Sequence, residues 1–135
     1  MNYKLSVSVV RPKRKYCFVI EAKGDELESR IGSIDSLVLK SEELKALTLG
    51  LRACRAYVKH DDLLIVELHN QHLCGWINGS VEQKGYEKEM DEALDVLESL
   101  DCKVKFITKD KPYARVYLDK HERTSITGSS IKDMF

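Results

Sequence analysis

Two polar residues stand where a buried strand is predicted to run directly into a helix. The stretch "IVELHNQHLCGWING", residues 65 to 79, places His69 and Asn70 at this junction. Glu67 lies two residues before His69, so both side chains are expected on the same face of the strand. An imidazole favours zinc and other transition ions, so Glu67, His69 and, as a further ligand, His72 could form a metal site with Glu43. The alternative is that Glu67 and His69 are polar groups satisfied by neighbours and water.

Cys74 follows His69 by five residues and raises the question of a cysteine nucleophile. Proximity in sequence does not produce a Cys–His dyad, and a reactive thiol needs partly exposed, electropositive surroundings. Cys74 falls on the apolar side of its predicted helix, which favours a structural thiol. The other cysteines are widely spaced without a CxxC motif, so all are predicted to be reduced: Cys17, Cys54 and Cys102.

Two sets of cationic residues could contact phosphate groups. The first set lies in a predicted hairpin turn and comprises Arg11, Lys13, Arg14 and Lys15. The second alternates along the last predicted strand and comprises Lys103 and Lys105. Phosphate contacts would supply affinity without reading a base sequence. The alternative is that both sets are solvated surface.

The overall charge gives no general argument for a polyanionic partner. Among 135 residues, 22 Lys and Arg balance 22 Asp and Glu. The distribution is uneven, because the N-terminal hairpin is basic while residues 82 to 101 are strongly acidic. Binding to nucleic acid is therefore expected to be modest and sensitive to salt.

The N-terminus lacks the apolar segment of a signal peptide, and no run approaches the roughly 18 apolar residues of a membrane span. Together with reduced cysteines, this predicts a cytoplasmic protein, or a nuclear one, without a membrane partner. The length and the 43% hydrophobic content are typical of one domain. We expect that domain to cover residues 1–123, followed by a flexible tail over 124–135.

Alternating apolar residues predict that the chain opens with an antiparallel meander. "YKLSVSVV" and "YCFVIEA" form the first hairpin around "RPKRK". A third extended stretch, residues 27–39, is expected to end in the strand-like "SLVLK", with Gly32 as a bulge or irregularity.

The later elements alternate between helices and strands. Apolar residues at three- and four-residue spacing predict a helix with Ser41 as its N-cap. "LLIVEL" is typical of a strand covered on both faces, and "CKVKFITK" of a last strand. Between them we expect helices over 70–77 and 84–100. The segment after Pro112 is compatible with either a helix or a strand.

This order predicts an α/β fold with one mixed sheet. A helix between two strands implies a crossover and parallel pairing, so the fourth and fifth strands should join the meander. The order, together with "SEELKALTLGL", "VELHNQHLCGWI" and "KVKFITK", resembles the ribonuclease H-like superfamily over residues 3–109. The resemblance implies a five-stranded sheet, formed by a three-strand meander and two parallel strands, with helices packed on it.

The resemblance also implies which residues would be catalytic. In that superfamily four carboxylates bind two divalent metals that act on a phosphodiester. Glu43 matches the glutamate of the first helix, but the first-strand aspartate has no counterpart, and only Ser6 or Ser8 is available. His69 stands where a second aspartate is expected, and Asp119 is the candidate for the fourth carboxylate.

The catalytic set is therefore degenerate, and three functions remain open. The first is a non-catalytic binding or adaptor protein that acts on nucleic acid or on a protein that processes it, with no cofactor. The second is a nuclease with a rearranged site, using Mg²⁺ or Mn²⁺ with Glu43, Glu67, His69 and Asp119. The third is a small protein-binding inhibitor or regulator.

Overall fold

The computed structural model describes residues 1–121, and the predicted tail over 124–135 lies outside these residues. Five strands form one sheet in the order β3-β2-β1-β4-β5. The strands are β1 Asn2–Val10, β2 Lys15–Ala22, β3 Asp25–Ser33, β4 Leu63–Leu68 and β5 Lys103–Thr108.

Helices connect and cover the strands. They are α1 Leu39–Cys54, α2 Gln71–Asn78, α3 Glu87–Ser99 and a further helix, α4, which begins at residue 113 and is helical through 121. Residues 113–121, which follow Pro112, are therefore helical. No helix among residues 1–121 is long and apolar enough to cross a membrane.

The sheet is mixed, as predicted. β2 pairs antiparallel with both β1 and β3. β4 lies between β1 and β5 and pairs in parallel with both. The register places Ser6 on β1 opposite Glu67 on β4, so these two side chains share one face of the sheet.

Apolar side chains fill both faces of the sheet. The larger core lies under α1 and α3 and includes Leu5, Phe18 and Leu47, all fully buried. Gly50 brings α1 close to β1, because a Cβ at this position would lie 2.8 Å from Cδ1 of Leu5. The smaller core lies under α4 and consists of Val10, Cys17, Val19, Ala114 and Leu118.

The start of α1 differs from the prediction. The helix begins at Leu39, and Ser41 is not its N-cap. Instead, Ser36 accepts a hydrogen bond from the backbone N–H of Val38 (3.3 Å) and donates one to Glu42 (3.1 Å). This interaction organises the chain just before the helix, so the first turn begins earlier than the hydrophobic spacing indicated.

The prediction that "SLVLK" ends a strand is also wrong. β3 ends at Ser33, which pairs with Lys15, the first residue of β2. Beyond Ser33 no partner strand remains, so the chain leaves the sheet. Leu37, Val38 and Leu39 consequently lie exposed at the surface.

Gly32 is not a bulge, because it pairs regularly with Tyr16. The irregularity lies at Ile20 and Glu21 of β2, where the register with β3 shifts. Gly32 is required for another reason, since a Cβ there would lie 2.4 Å from Cε1 of Tyr16. The absence of a side chain makes room for the tyrosine ring.

Candidate functional site

Glu67 anchors α4 to the sheet. Its side chain is buried on β4, and Oε1 accepts hydrogen bonds from the Ser6 hydroxyl (3.0 Å) and the Tyr113 backbone N–H (2.6 Å). The Ser6 oxygen in turn accepts the backbone N–H of Ala114 at 2.8 Å. A helix leaves its first N–H groups unpaired and favours negative charge at that end. Ser6 and Glu67 together satisfy two of these groups.

Two lysines balance the buried charge of Glu67. The Nζ atoms of Lys4 and Lys109 lie 3.9 and 3.8 Å from its Oε2 atom. A carboxylate that is out of water requires such partners. Both oxygens of Glu67 are therefore engaged within the protein.

Glu43 ties α1 to the end of β4. Its side chain is buried, and Oε1 accepts the backbone N–H of His69 at 3.1 Å. Burial raises the pKa of Glu43 to about 7, although the backbone hydrogen bonds from His69 and Asn70 act in the opposite direction. This carboxyl group therefore gains and loses its proton near neutral pH.

The His69 imidazole forms its hydrogen bond with the backbone of Asp110 and not with a carboxylate. Its Nδ1 atom lies 2.9 Å from the backbone oxygen of Asp110, and the side chain is exposed. Asn70 is the N-cap of α2, because its side-chain oxygen accepts the backbone N–H groups of His72 (2.9 Å) and Leu73 (3.2 Å). Asn70 thus has a structural role, which is the usual role of asparagine at the start of a helix.

An open pocket of about 290 Å³ lies at this junction and is lined by His69, Asn70, Gln71, His72 and Asp110. Neither Glu43 nor Glu67 lines it. The pocket therefore does not unite the residues of the predicted metal site.

Asp119 lies on α4 and forms ion pairs with cations from two other parts of the chain. Its carboxylate is 2.9 Å from Nζ of Lys13, 3.1 Å from Nε of Arg115 and 3.8 Å from Nζ of Lys111. The hydrogen bond from Lys13 is the main reason that the pKa of Asp119 is lowered. This charge is held by the hairpin turn and by α4 itself.

These contacts test whether the residues fit a two-metal centre. Within residues 1–121, no group of three or more His, Cys, Asp or Glu side chains could hold a metal ion. β1 carries Ser6 and Ser8 and has no carboxylate. The Glu67 carboxylate accepts a backbone N–H of α4, and the Asp119 carboxylate forms ion pairs with lysine and arginine side chains. Two divalent cations need several ionised oxygen ligands around them. The described residues do not provide that arrangement.

The structure separates the two sets of predicted phosphate-binding residues. The turn with Arg11, Lys13, Arg14 and Lys15 follows β1, at the carboxyl end of the parallel strands. Lys103 pairs with Leu63 at the opposite end, where β4 and β5 begin. The sets therefore lie apart by most of the length of a strand, about 3.3 Å for each residue.

The hairpin turn is instead joined to α4, through the ion pairs of Asp119. We call this group the cationic cluster, which consists of Arg11, Lys13, Arg14, Lys111 and Arg115. Arg14 donates its backbone N–H to Arg11, which keeps both residues in one tight turn with Lys13. Neither Arg11 nor Arg14 forms an ion pair within the described part of the chain. Sequence reasoning missed Arg115, whose only local signal is its four-residue spacing from Asp119.

The comparisons with known proteins show the fold. No protein-family model matches the chain, and no curated protein is similar to it. Among solved structures, the ribonuclease H1 isolated from compost, LC11-RNase H1, has a TM-score of 0.70 at 12% identity, covering 88% of this chain and 91% of that one. The chain therefore has the ribonuclease H-like fold, as the sequence resemblance predicted.

Two further structures agree with this conclusion. The N-terminal ribonuclease H domain of rv2228c from Mycobacterium tuberculosis has a TM-score of 0.68 at 10% identity, covering 92% of this chain and 98% of that one. Ribonuclease H1 from Halobacterium salinarum NRC-1 has a TM-score of 0.65 at 13% identity, covering 81% and 87%. At these identities the similarity extends to the fold alone.

The role of Glu67 as an anchor can be tested by removing its oxygens. Glu67→Ala leaves the Tyr113 N–H and the Ser6 hydroxyl without their acceptor, so we expect the free energy of unfolding to fall by about 1–3 kcal/mol. Urea denaturation measures this loss, and amide exchange should accelerate over residues 113–121. Glu67→Gln retains an acceptor oxygen and should lose less. Equal stability of all three proteins would contradict this role.

The raised pKa of Glu43 predicts a dependence of stability on pH. The folded protein binds this proton more tightly than the unfolded chain, so stability falls as the pH rises from about 4.5 to about 7 and is constant above that. Glu43→Gln keeps an acceptor for His69 without the charge. Between pH 4 and pH 8, we expect wild type to lose about 3 kcal/mol more than this variant. Urea denaturation at each pH measures the difference, with exposed Glu92→Gln as the control, and parallel curves for wild type and Glu43→Gln would refute it.

Proposed function

We propose that this protein is a non-catalytic nucleic-acid-binding protein built on the ribonuclease H-like fold. The observation that carries the proposal is the cationic cluster, in which Lys13, Lys111 and Arg115 converge on Asp119. Arg11 and Arg14 add two further positive charges in the same turn. A phosphate backbone is the polyanion that such a group of lysines and arginines would bind.

Asp119 gives the cluster a defined shape. By holding Lys13 and Arg115 in place, it reduces the side-chain entropy that would be lost when a phosphate binds. It offsets only part of the positive charge, because the cations around it are more numerous. The surface therefore combines an excess of positive charge with restricted side chains.

The non-catalytic part of the proposal rests on the engagement of the candidate carboxylates. Glu67 holds the start of α4, Glu43 holds the His69 backbone, and Asp119 holds cations of the cluster. Each group would have to break internal contacts before it could bind a metal. Such contacts favour a structural use of these residues.

The structural comparisons suggest which nucleic acid to use as the first binding probe. One solved structure with the same fold is LC11-RNase H1 in complex with an RNA/DNA hybrid. Its comparison with this chain gives a TM-score of 0.62 at 12% identity, covering 82% of this chain and 86% of that one. An RNA–DNA hybrid is therefore a suitable first probe, beside duplex DNA and single strands. Cluster residues that contact only phosphates would bind with little preference for base sequence.

The binding prediction concerns Arg11 and Arg14, which form no ion pair with another residue of 1–121. In Arg11→Glu/Arg14→Glu, we expect affinity for a labelled 20-nucleotide hybrid to fall by about tenfold or more, because two phosphate contacts are lost. Fluorescence anisotropy at several salt concentrations measures this, and the slope of log K against log salt should become shallower by about two.

Two matched variants show whether the effect is local. Lys84→Glu/Lys88→Glu makes the same change of charge near α3 and should have a much smaller effect. Lys103→Glu/Lys105→Glu tests the separate lysines of β5. Undiminished binding by the double arginine variant would remove the cluster from the proposal. No binding by wild type to any nucleic acid would reject the proposal and favour a protein partner.

A cleavage assay tests the non-catalytic part independently. We expect no hydrolysis of hybrid, duplex or single strands by wild type with Mg²⁺, Mn²⁺ or Zn²⁺, because the candidate carboxylates do not converge. Gel analysis of labelled strands measures this. Cleavage that is lost in Glu43→Gln would establish the nuclease alternative with a rearranged site.

A further inference from the structure

The two edges of the sheet carry different side chains. β5 forms one edge and has lysines at alternate positions, Lys103 and Lys105, a pattern that opposes pairing with another strand. β3 forms the other edge over nine residues and exposes Leu27 and Ile31. An edge strand with exposed apolar residues is a template for further pairing.

The sequence of β3 is complementary to an antiparallel copy of itself. In a pairing centred on Ser29, Glu28 of each copy stands opposite Arg30 of the other. Leu27 lies at the register shift between β2 and β3, so the regular pairing that carries the complementarity runs from Glu28 to Arg30. Cross-strand pairs of opposite charge stabilise sheets.

We propose that β3 is a homodimerisation edge, at which a second copy of this chain pairs antiparallel about Ser29 to give a continuous ten-stranded sheet. The complementary charges of Glu28 and Arg30 determine both the partner and the register of the pairing. The interface is isologous, since each copy contributes the same two contacts.

Contacts within each copy hold the two charged residues in place. The Tyr57 hydroxyl donates a hydrogen bond to Oε1 of Glu28 at 2.9 Å. The Arg30 guanidinium carbon lies 5.5 Å from the centre of the Phe18 ring. Both charged groups are thus partly ordered before a second copy arrives, which reduces the entropy lost on association.

The helices leave room for this pairing. The apolar residues of α4 pack on Val10 of β1 and on Cys17 and Val19 of β2. α4 reaches β3 through the Tyr117 hydroxyl, which lies 2.7 Å from Oγ of Ser29. Strands lie about 4.8 Å apart, so β2 of one copy and β2 of the other would be separated by three intervals, about 14 Å. Packed helices need about 8–10 Å between their axes, so the two α4 helices fit side by side.

The interface is small, because it is formed mainly by one strand from each copy. Stable interfaces usually bury more than about 1,000 Å², so this dimer should be weak, with a dissociation constant of roughly 10–500 µM. It would form at high local concentration and dissociate on dilution.

A charge exchange tests the partner and the register together. Sedimentation velocity of the full chain should show the mass rising from 15.5 kDa towards twice that value as the concentration increases. Glu28→Arg alone, or Arg30→Glu alone, should weaken self-association by about tenfold or more, because like charges then face each other. An equal mixture of the two variants should associate again, because opposite charges face each other only in the mixed dimer.

Glu92→Arg reverses a charge on α3 and is the control, which should dimerise like wild type. Circular dichroism checks that each variant is folded. If a variant fails to fold, Ser29→Cys provides a second test. Its thiols would face each other across the axis and form a disulfide-linked dimer with oxidised glutathione, whereas Ser33→Cys would not. Wild type that stays at 15.5 kDa at high concentration, or a mixture that stays monomeric, would overturn the proposal.

Discussion

The hydrogen bonds that Glu67 accepts from Ser6 and from the Tyr113 backbone connect β1, β4 and α4 at one buried point. The position of α4 depends on this point, because the carboxylate satisfies the open end of the helix that covers the second face of the sheet. α4 in turn brings Asp119 to Lys13 in the hairpin turn. A single buried acid therefore organises both the smaller core and the cationic cluster.

The polar residues at the carboxyl ends of the strands show how one fold can serve different chemistry. A carboxylate on β1 beside Glu67 would add negative charge there, whereas the uncharged Ser6 hydroxyl donates a hydrogen bond to Glu67. Burial makes Glu43 a group that binds a proton near neutral pH, although the backbone N–H groups of His69 and Asn70 lower its pKa. Substitution of a few side chains thus changes the electrostatics of this region while the backbone keeps the ribonuclease H-like fold, which by itself does not define activity.

Charge is divided among the parts of the sheet. Cations gather where the first hairpin meets α4, lysines occupy the β5 edge, and β3 carries acids together with one arginine. This division reconciles a neutral chain with a locally basic surface. It also gives the two sheet edges different tendencies to associate, since β5 carries alternate lysines whereas β3 exposes Leu27 and Ile31.

The sequence by itself determined the succession of strands and helices and their buried faces, because these follow from hydrophobic periods of two and 3.6 residues that are local to each element. The mixed sheet followed from the crossover rule and from the family resemblance. The sequence also placed Glu43 and Glu67 correctly on α1 and β4. Only the tertiary structure decided the end of β3 and the need for Gly32, since each depends on a partner elsewhere: β2 and Tyr16. The start of α1 involves a local contact, from Ser36 to Glu42, that hydrophobic spacing does not predict. The pairing of Lys13 with Asp119 joins residues 106 positions apart. No local pattern encodes such a contact, because it exists only after the sheet and α4 have packed together.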